Sequence, residues 1–349
     1  MNILDLRVNA KNVRLYFEEN TNRPPYLGEA FFPVRKQVGL KIDLLKGKQG
    51  LPVALVPANF NTNVLYRDRL GVTELSAKLP FFKEAYKVDE ELRQQILTAK
   101  EQYAPEFLSK VFDDTNELLD GADVSVERMR MQILSQGTIS IQANGVDKQY
   151  DYGFVSGTQF KTETTLWNAS GAKPFKSFMD NVKAFKNLNT NLNKKAPKYA
   201  IMNTDVFNAL AQDPDVLGYF AKLALPIAYP TDDEIKAYIE SRAGLQIFIN
   251  DKSYLSYRDF NGTPVPFYPQ DRYTLLSRND LGETVYGTTP EEVDLKNGTS
   301  SASSVEITAK GVAITTWKEV DPVNVNVKVS EIVAPSCPNI EDLFIVKVF

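Results

Sequence analysis

Two hydrophobic periods, laid out in separate blocks along one chain, predict an α+β fold. Strict alternation runs through Val38, Leu40, Ile42 and Leu44 near the start and through Val323, Val325, Val327 and Val329 near the end, the pattern of half-buried strands. Between them a period near 3.6 aligns Val88, Leu92, Ile96, Ala99 and Tyr103 on one helical face. The third observation is composition: 349 residues, 43% hydrophobic and 24% charged, an ordinary globular balance with room for about two domains.

The first thirty or so residues, ending in Asn22-Arg23-Pro24-Pro25-Tyr26-Leu27-Gly28, are polar with isolated apolar positions. The Pro-Pro pair favours extended chain, so this segment reads as an arm outside the core. From Val38 the alternating strand sets Gly39, Lys41 and Asp43 on its other face. Gly47-Lys48-Gln49-Gly50 reads as a turn, and Leu51, Val53 and Leu55 as the return strand, with Pro52 and Pro57 marking an edge. A two-stranded hairpin is marginal in water, so its apolar face needs cover, and nothing adjacent in sequence supplies it.

A second alternating run, Leu75-Ser76-Ala77-Lys78-Leu79, precedes the helix that starts at Val88. Pro105 interrupts that helix. A second helical stretch aligns Leu108, Val111, Phe112, Thr115, Leu118 and Leu119 and stops at Gly121; Asp123 or Ser125 then caps a third, carrying Val126, Met129 and Ile133 to Gly137. Thr138 to Ala143 alternates into Asn144-Gly145, a strong hairpin signal because both turn residues need positive φ, and Val146, Tyr150 and Tyr152 return.

From about Gly157 helices and strands mix. Pro174 opens a helix with Phe175, Phe178, Met179, Val182 and Phe185 on one stripe; Thr231-Asp232-Asp233-Glu234 reads as a capping box for another, ended by Gly244. Leu245 to Ile249 follows as a buried strand, and 254–287 as short strands broken by Gly and Pro. The Ser-rich 297–304 reads as a flexible joint. Val305, Ile307 and Ala313 to Trp317 return to strand, and Asp321-Pro322 sits at a hairpin turn. There is no internal repeat.

The chain has no histidine and one cysteine, Cys337. That excludes Ser-His-Asp and Cys-His triads, histidine-ligated zinc, CxxC redox pairs and an internal disulfide framework. Forty Lys and Arg against forty-four Asp and Glu give a net charge of −4, and the lysines look scattered, which argues against a dedicated nucleic-acid binder. The start lacks a signal peptide's basic and apolar regions, and no run of about 18 apolar residues exists to span a bilayer; a soluble protein made in a cytoplasm is expected. The Asn-x-Ser/Thr sites at Asn168, Asn261 and Asn297 read as chance matches in turns.

Gly47-Lys48-Gln49-Gly50 lacks P-loop spacing and sits between strands, Phe154-Val155-Ser156-Gly157 lacks a nucleophile elbow, and Asp113-Asp114-Thr115-Asn116-Glu117 lacks the Gly and Glu of a calcium loop and continues a helical stripe. Phe31-Phe32, Phe81-Phe82 and Trp167 read as core. No catalytic, cofactor or metal site emerges. A glycosidase using two carboxylates stays open, because sequence spacing does not identify such a pair.

The order of these parts resembles the major capsid proteins of tailed bacteriophages, specifically the lambda-like "major capsid protein E" family with the HK97-type fold. Three stretches carry the likeness. Val64-Leu65-Tyr66-Arg67-Asp68-Arg69-Leu70-Gly71 runs towards Leu79-Pro80-Phe81-Phe82. Glu127-Arg128-Met129-Arg130-Met131-Gln132-Ile133-Leu134-Ser135-Gln136-Gly137 leads into the strand at Thr138. Leu281-Gly282-Glu283-Thr284-Val285-Tyr286-Gly287-Thr288-Thr289-Pro290-Glu291-Glu292 is followed by Asp321-Pro322 and a strand from Pro335 to Val348.

The resemblance implies an N-terminal arm at 1–35, an extended E-loop at 36–80 and a P domain with a spine helix at 81–156. An A domain at 157–300, P-domain return strands at 301–332 and a last A-domain strand at 333–349 complete it. It implies a non-enzymatic subunit of an icosahedral head, joined to copies of itself in hexamers and pentamers, and assembled in the host bacterial cytoplasm with no membrane and no cofactor. A portal, a decoration protein, a scaffolding protein encoded separately (no cleaved delta domain is identifiable) and non-specific proximity to packaged double-stranded DNA complete its partners. Candidate inter-subunit contacts are Val38, Leu40, Ile42 and Leu44 on the hairpin face, Lys48 in its tip, and Arg67, Asp68 and Arg69 beside its base. The alternatives are a polysaccharide-binding protein or carboxylate-dependent glycosidase, an encapsulin-like compartment, and a tail-tube subunit, against which the long helix speaks.

Overall fold

The structure, a computed structural model, describes residues 9–20, 25–39, 41–47, 72–98, 104–143, 146–154, 159–191, 195–222, 230–255, 262–298 and 304–349. The expected turn at Gly47 to Gly50, the return strand at Leu51 to Leu55 and the Asn144-Gly145 turn lie wholly or partly outside them. Helices and sheets are mixed as expected for α+β, and the chain divides into two compact units. The first gathers Met1–Ile42, Ser76–Arg130 and Gly282–Ser336; the second gathers Asp43–Leu75, Met131–Leu281 and Cys337–Phe349.

In the first unit the alternation near the end of the chain becomes one long strand, Asn324–Ser336. Its Val325, Val327 and Val329 are buried, as period-2 placement on one sheet face requires. Ala313–Glu319 pairs with it antiparallel on one side, joined through the turn at Asp321-Pro322, and Ser304–Ile307 extends the sheet beyond. On the other side Phe81–Val88 pairs with the first part of the long strand and Glu283–Tyr286 with its end, both antiparallel. Val34–Lys36 then adds parallel to Glu283–Tyr286.

Phe81–Val88 corrects the sequence reading, which began a helix at Val88. Val88 ends a strand opposite Val325, and the helix Glu90–Thr98 starts only after Asp89, whose carboxylate accepts from the Leu92 N–H at 2.9 Å as an N-cap does. The three helical stretches expected from 88 to 137 are likewise redistributed. Ala104–Gln136 is one continuous helix of 33 residues, about 50 Å long. Pro105 lies in its first turn, where no intrahelical N–H is needed. Gly121 sits in its middle, exposed; the buried stripe of Val111, Thr115, Leu118, Val126 and Met129 outweighs the roughly 1 kcal/mol that glycine forfeits. Ser125 does not cap a helix but donates its hydroxyl back to the Gly121 carbonyl. Gly137, at φ 73°, ends the helix as read.

The amino-terminal arm is not all extended. Ala10–Asn20 is a helix that buries Ala10 and Val13, stacks Tyr16 on Phe112 at 5.2 Å and hydrogen-bonds the Tyr16 hydroxyl to Asp113. An apolar residue every third position was enough for a small stripe. Phe31 and Phe32 are core as expected, whereas Phe81 is 42% exposed at an outer strand.

The second unit is built on a five-stranded sheet in the order Phe160–Thr162, Leu343–Lys347, Arg272–Leu276, Tyr199–Met202, Gln246–Ile249. Pro174–Asn191, Thr204–Ala211, Pro214–Lys222 and Asp232–Ala243 are its helices. Their inward residues, among them Phe178, Phe185, Leu210 and Ile239, share one core with Trp167 and Tyr273. The Thr231/Glu234 capping box and the left-handed Gly244 form as read. Gln246–Ile249 is an edge strand of this sheet and leaves Ile249 exposed, so the buried strand expected there is only half-buried. Thr138–Ala143 and Val146–Asp151 form the expected antiparallel hairpin.

Candidate functional site

Among the described residues the chemistry-bearing groups form no metal-binding cluster of three or more His, Cys, Asp or Glu, and no helix is long and apolar enough to cross a membrane. What the fold builds instead is a surface.

Lys41–Gly47 pairs with Val72–Lys78 in a sheet of those two strands alone, among the described residues. The partner strand is therefore the second alternating run of the sequence, extended by three residues. The incoming limb is fixed by the Val34–Lys36 pairing and by the Gln37 N–H donating to the Tyr286 carbonyl at 2.8 Å. Lys36 reaches Glu292 at 2.7 Å and the Gly287 carbonyl at 3.0 Å. A side chain at Gly287 would come within 2.8 Å of the Gly39 carbonyl, so the close approach there requires glycine. The outgoing limb passes buried Leu79 and Pro80, whose carbonyl accepts from Val333 N–H, into the Phe81–Val88 strand.

Of the predicted contact residues, Val38 is 85% exposed beside the root of this strand pair. Ile42 and Leu44 fall on the Lys41–Gly47 strand. Leu40, Lys48, Arg67, Asp68 and Arg69 lie outside the described residues.

Glu127 and Arg130 fall in a stretch of sequence whose pattern assigns them no role. On the long helix they are i, i+3 neighbours, 3.4 Å apart and almost wholly buried. Glu127 accepts the Gly28 N–H at 2.9 Å; Arg130 donates Nε to the Thr284 hydroxyl at 2.9 Å, which in turn donates to the Phe32 carbonyl. Two charges thus tie the arm, the helix and the sheet of the first unit together. A Cβ at Gly28 would meet Glu127 Oε2 at 2.5 Å, so only glycine fits. The signal was a charged i, i+3 pair interrupting an apolar stripe, where burial demands a partner.

Glu331, 1% exposed in the same unit, has no hydrogen-bond partner on either carboxyl oxygen among the described residues. Burial first, then the charge of Asp123, pushes its carboxyl well above the usual carboxylate range against the opposing pull of Lys310 and Arg130. Asp123 itself pairs with Lys310 at 3.1 Å. Glu292 goes the other way: burial raises it, but bonds from Lys296 and Lys36 prevail and hold it below its ordinary value.

These features are those of a structural chain, with a strand pair that no third strand joins among the described residues and a buried charged pair within the first unit. Residues 10–348 match the family "Phage major capsid protein E", and the chain belongs to that family of structural capsid proteins. A crystal structure assigned to a prophage capsid protein of E. coli CFT073 is similar, with TM-score 0.61 and 14% identity over 98% of this chain and 99% of the other. A phage-related protein of Bordetella bronchiseptica RB50 is similar with TM-score 0.58 and 12% identity over 98% and 97%. No curated protein matches. The capsid reading and the HK97-type α+β fold hold, and self-assembly into a virion capsid follows in kind; the glycosidase and compartment alternatives are not favoured.

Proposed function

We propose that the chain forms hexamers and pentamers of an icosahedral head that encloses double-stranded DNA, with 36–80 as the E-loop lying across a neighbouring subunit. The supporting observation is the strand pair Lys41–Gly47 with Val72–Lys78: both limbs are anchored, no third strand joins it among the described residues, and Val38 is left exposed at its root. Two strands alone bury too little to be stable, and a neighbouring copy supplies the missing cover through a heterologous contact that closes into rings. Leu40, Ile42, Leu44, Lys48, Arg67, Asp68 and Arg69 are assigned to that contact. The remaining boundaries stand as proposed: arm 1–35, P domain 81–156 and 301–332, A domain 157–300 and 333–349. The subunit is non-enzymatic and assembles in the host cytoplasm with a separate scaffolding protein, a portal and a decoration protein.

Replacing residues 46–50 with a shorter turn tests this. The expected variant is folded and soluble, with a wild-type circular dichroism spectrum, and forms no closed shells under negative-stain microscopy. Normal shells from it would overturn the E-loop assignment.

A further inference from the structure

The net charge of −4 hides a local concentration that the scattered reading of the lysines missed. Residues 173–198 hold seven lysines, and the only carboxylate among them is Asp180. Lys173, Lys176, Lys183, Lys186, Lys195 and Lys198 are exposed, and all belong to the second unit. The helix Pro174–Asn191 orders them: its apolar stripe, Phe178, Val182 and Phe185, faces the core, which turns Lys176 and Lys183 to the opposite side and leaves Lys186 exposed on the flank.

Lys176 and Lys186 stand about 15 Å apart along the axis, with Lys183 and Lys186 one turn apart. The Asn189 side chain donates to the Lys195 carbonyl at 2.9 Å, which sets Lys195 beside the last turn of the same helix. Asp180 is taken up by Lys176 at 2.6 Å, and Lys183 and Lys161 also hold it below its ordinary value.

We propose that this lysine face contacts the phosphate backbone of duplex DNA. The inference rests on the capsid reading and deepens it by assigning the enclosed polyanion a place on the subunit. Two observations favour phosphate over an acidic protein. Protein interfaces centre on apolar and aromatic anchors and are poor in lysine, and none of the exposed large apolar residues of the described chain falls in 173–198. Lysines spread along about 15 Å of helix also match a ladder of charges repeating at about 3.4 Å per strand, a contact that needs no base readout.

The test is fluorescence anisotropy of a labelled random-sequence duplex of about 30 base pairs against the full-length protein, across salt concentrations. Lys183→Gln with Lys186→Gln and Lys195→Gln is expected to flatten the log affinity against log salt slope by two to three, at about 0.9 for each phosphate no longer neutralised, and to weaken binding at least tenfold in low salt. A control with Lys222→Gln and Lys252→Gln, exposed lysines outside the span, should change the slope by less than one. An unchanged slope in the triple variant, or an equal change per lysine in the control, overturns the proposal. So does tighter binding of poly-L-glutamate than of the duplex in the same buffer, which would mark an acidic protein site. Negative-stain microscopy run alongside separates this proposal from its premise. Wild-type shells with a flattened slope in the triple variant support both. Absence of shells from the wild-type protein under every condition removes the capsid reading itself, and loss of shells in the triple variant at unchanged slope makes the face a subunit contact.

Discussion

The two units of the chain balance apolar packing and buried charge differently. The second is an apolar core with local punctuation: Trp167 stacks on Tyr273 at 5.6 Å, Phe185 on Phe344 at 5.4 Å, and its helices are capped by neighbours in sequence such as Asn203 and Thr231. The first is stitched by charges far apart in sequence, Glu127 to Gly28, Arg130 to Thr284, Lys36 to Glu292 and Asp123 to Lys310. An apolar core tolerates changes of detail as long as volume is kept. A buried charge does not tolerate loss of its partner. The difference teaches where this protein is brittle, and it is the first unit, where the buried charged pair lies. Each unit carries one tryptophan, Trp317 in the first and Trp167 in the second, so the comparison is open to direct measurement.

The largest effect is expected at Arg130. Arg130→Met strands the Glu127 carboxylate in a site that is 1% exposed and should destabilise the first unit by about 3 to 5 kcal/mol. In urea unfolding of single-tryptophan proteins, the Trp317 signal should move to lower denaturant while the Trp167 signal stays in place. Adding Glu127→Leu should restore part of the loss, since removing both charges leaves no uncompensated ion. Equal shifts of both signals would break the comparison, because the units would then unfold as one.

Next in size is the pH response of Glu331. Its folded-state carboxyl is raised far above the unfolded value of 4.5 by burial and then by Asp123. The folded state therefore binds the proton more tightly, and the stability that this gives is complete below about pH 4.5 and is lost as pH rises towards the folded value, at up to about 1.4 kcal/mol per pH unit. The groups facing Glu331 are Asp123 and Arg130 on the long helix, Lys310 in the loop before Ala313–Glu319, and Tyr286 on its neighbouring strand. Glu292 has the opposite sign, since its lowered value gives stability that is present above 4.5 and lost as pH falls. Glu331→Gln should flatten the fall in the Trp317-reported midpoint as pH rises above about 4.5 and leave the acid limb alone. An unaltered slope in that variant would show that Glu331 is already satisfied.

The comparison also explains what the sequence disclosed. Local rules read the second unit well: the capping box at Thr231, Pro174 at a helix start and Gly244 at a helix end all form. They read the first unit less well, because there the deciding contacts are non-local. Pro105 and Gly121 looked like breaks only until a continuous buried stripe outweighed them, and Val88 looked helical until Val325 claimed it as a strand partner. The partner of the Lys41–Gly47 strand lies 25 residues beyond its end, at Val72–Lys78, where alternation showed a strand but nothing in it named the mate. Of the candidate contact residues, Val38 reads from its alternation as the first residue of the strand, whereas the strand begins at Lys41 and leaves Val38 exposed before it. Glu127 and Arg130 were visible as residue types whose partners, Gly28 and Thr284, no spacing rule connects. The lysines of 173–198 were hidden by averaging charge over the whole chain.

The smallest effect, and the sharpest use of the comparison, sets two glycines of the first unit against each other. Around Gly121 a Cβ would meet nothing within 4 Å, and the residue is exposed in the interior of a helix. Alanine there removes backbone freedom from the unfolded chain without a clash, so Gly121→Ala should stabilise the first unit by about 0.5 to 1 kcal/mol. At Gly28 the same methyl would be driven into Glu127 and Arg130, and Gly28→Ala should destabilise. Opposite signs from one substitution, read on Trp317 in one urea series, separate helix propensity from tertiary keying. If Gly121→Ala also destabilised, the middle of the long helix would have to bend or pack in a way that requires glycine, and the local rule would fail there for the same non-local reason that it failed at Val88.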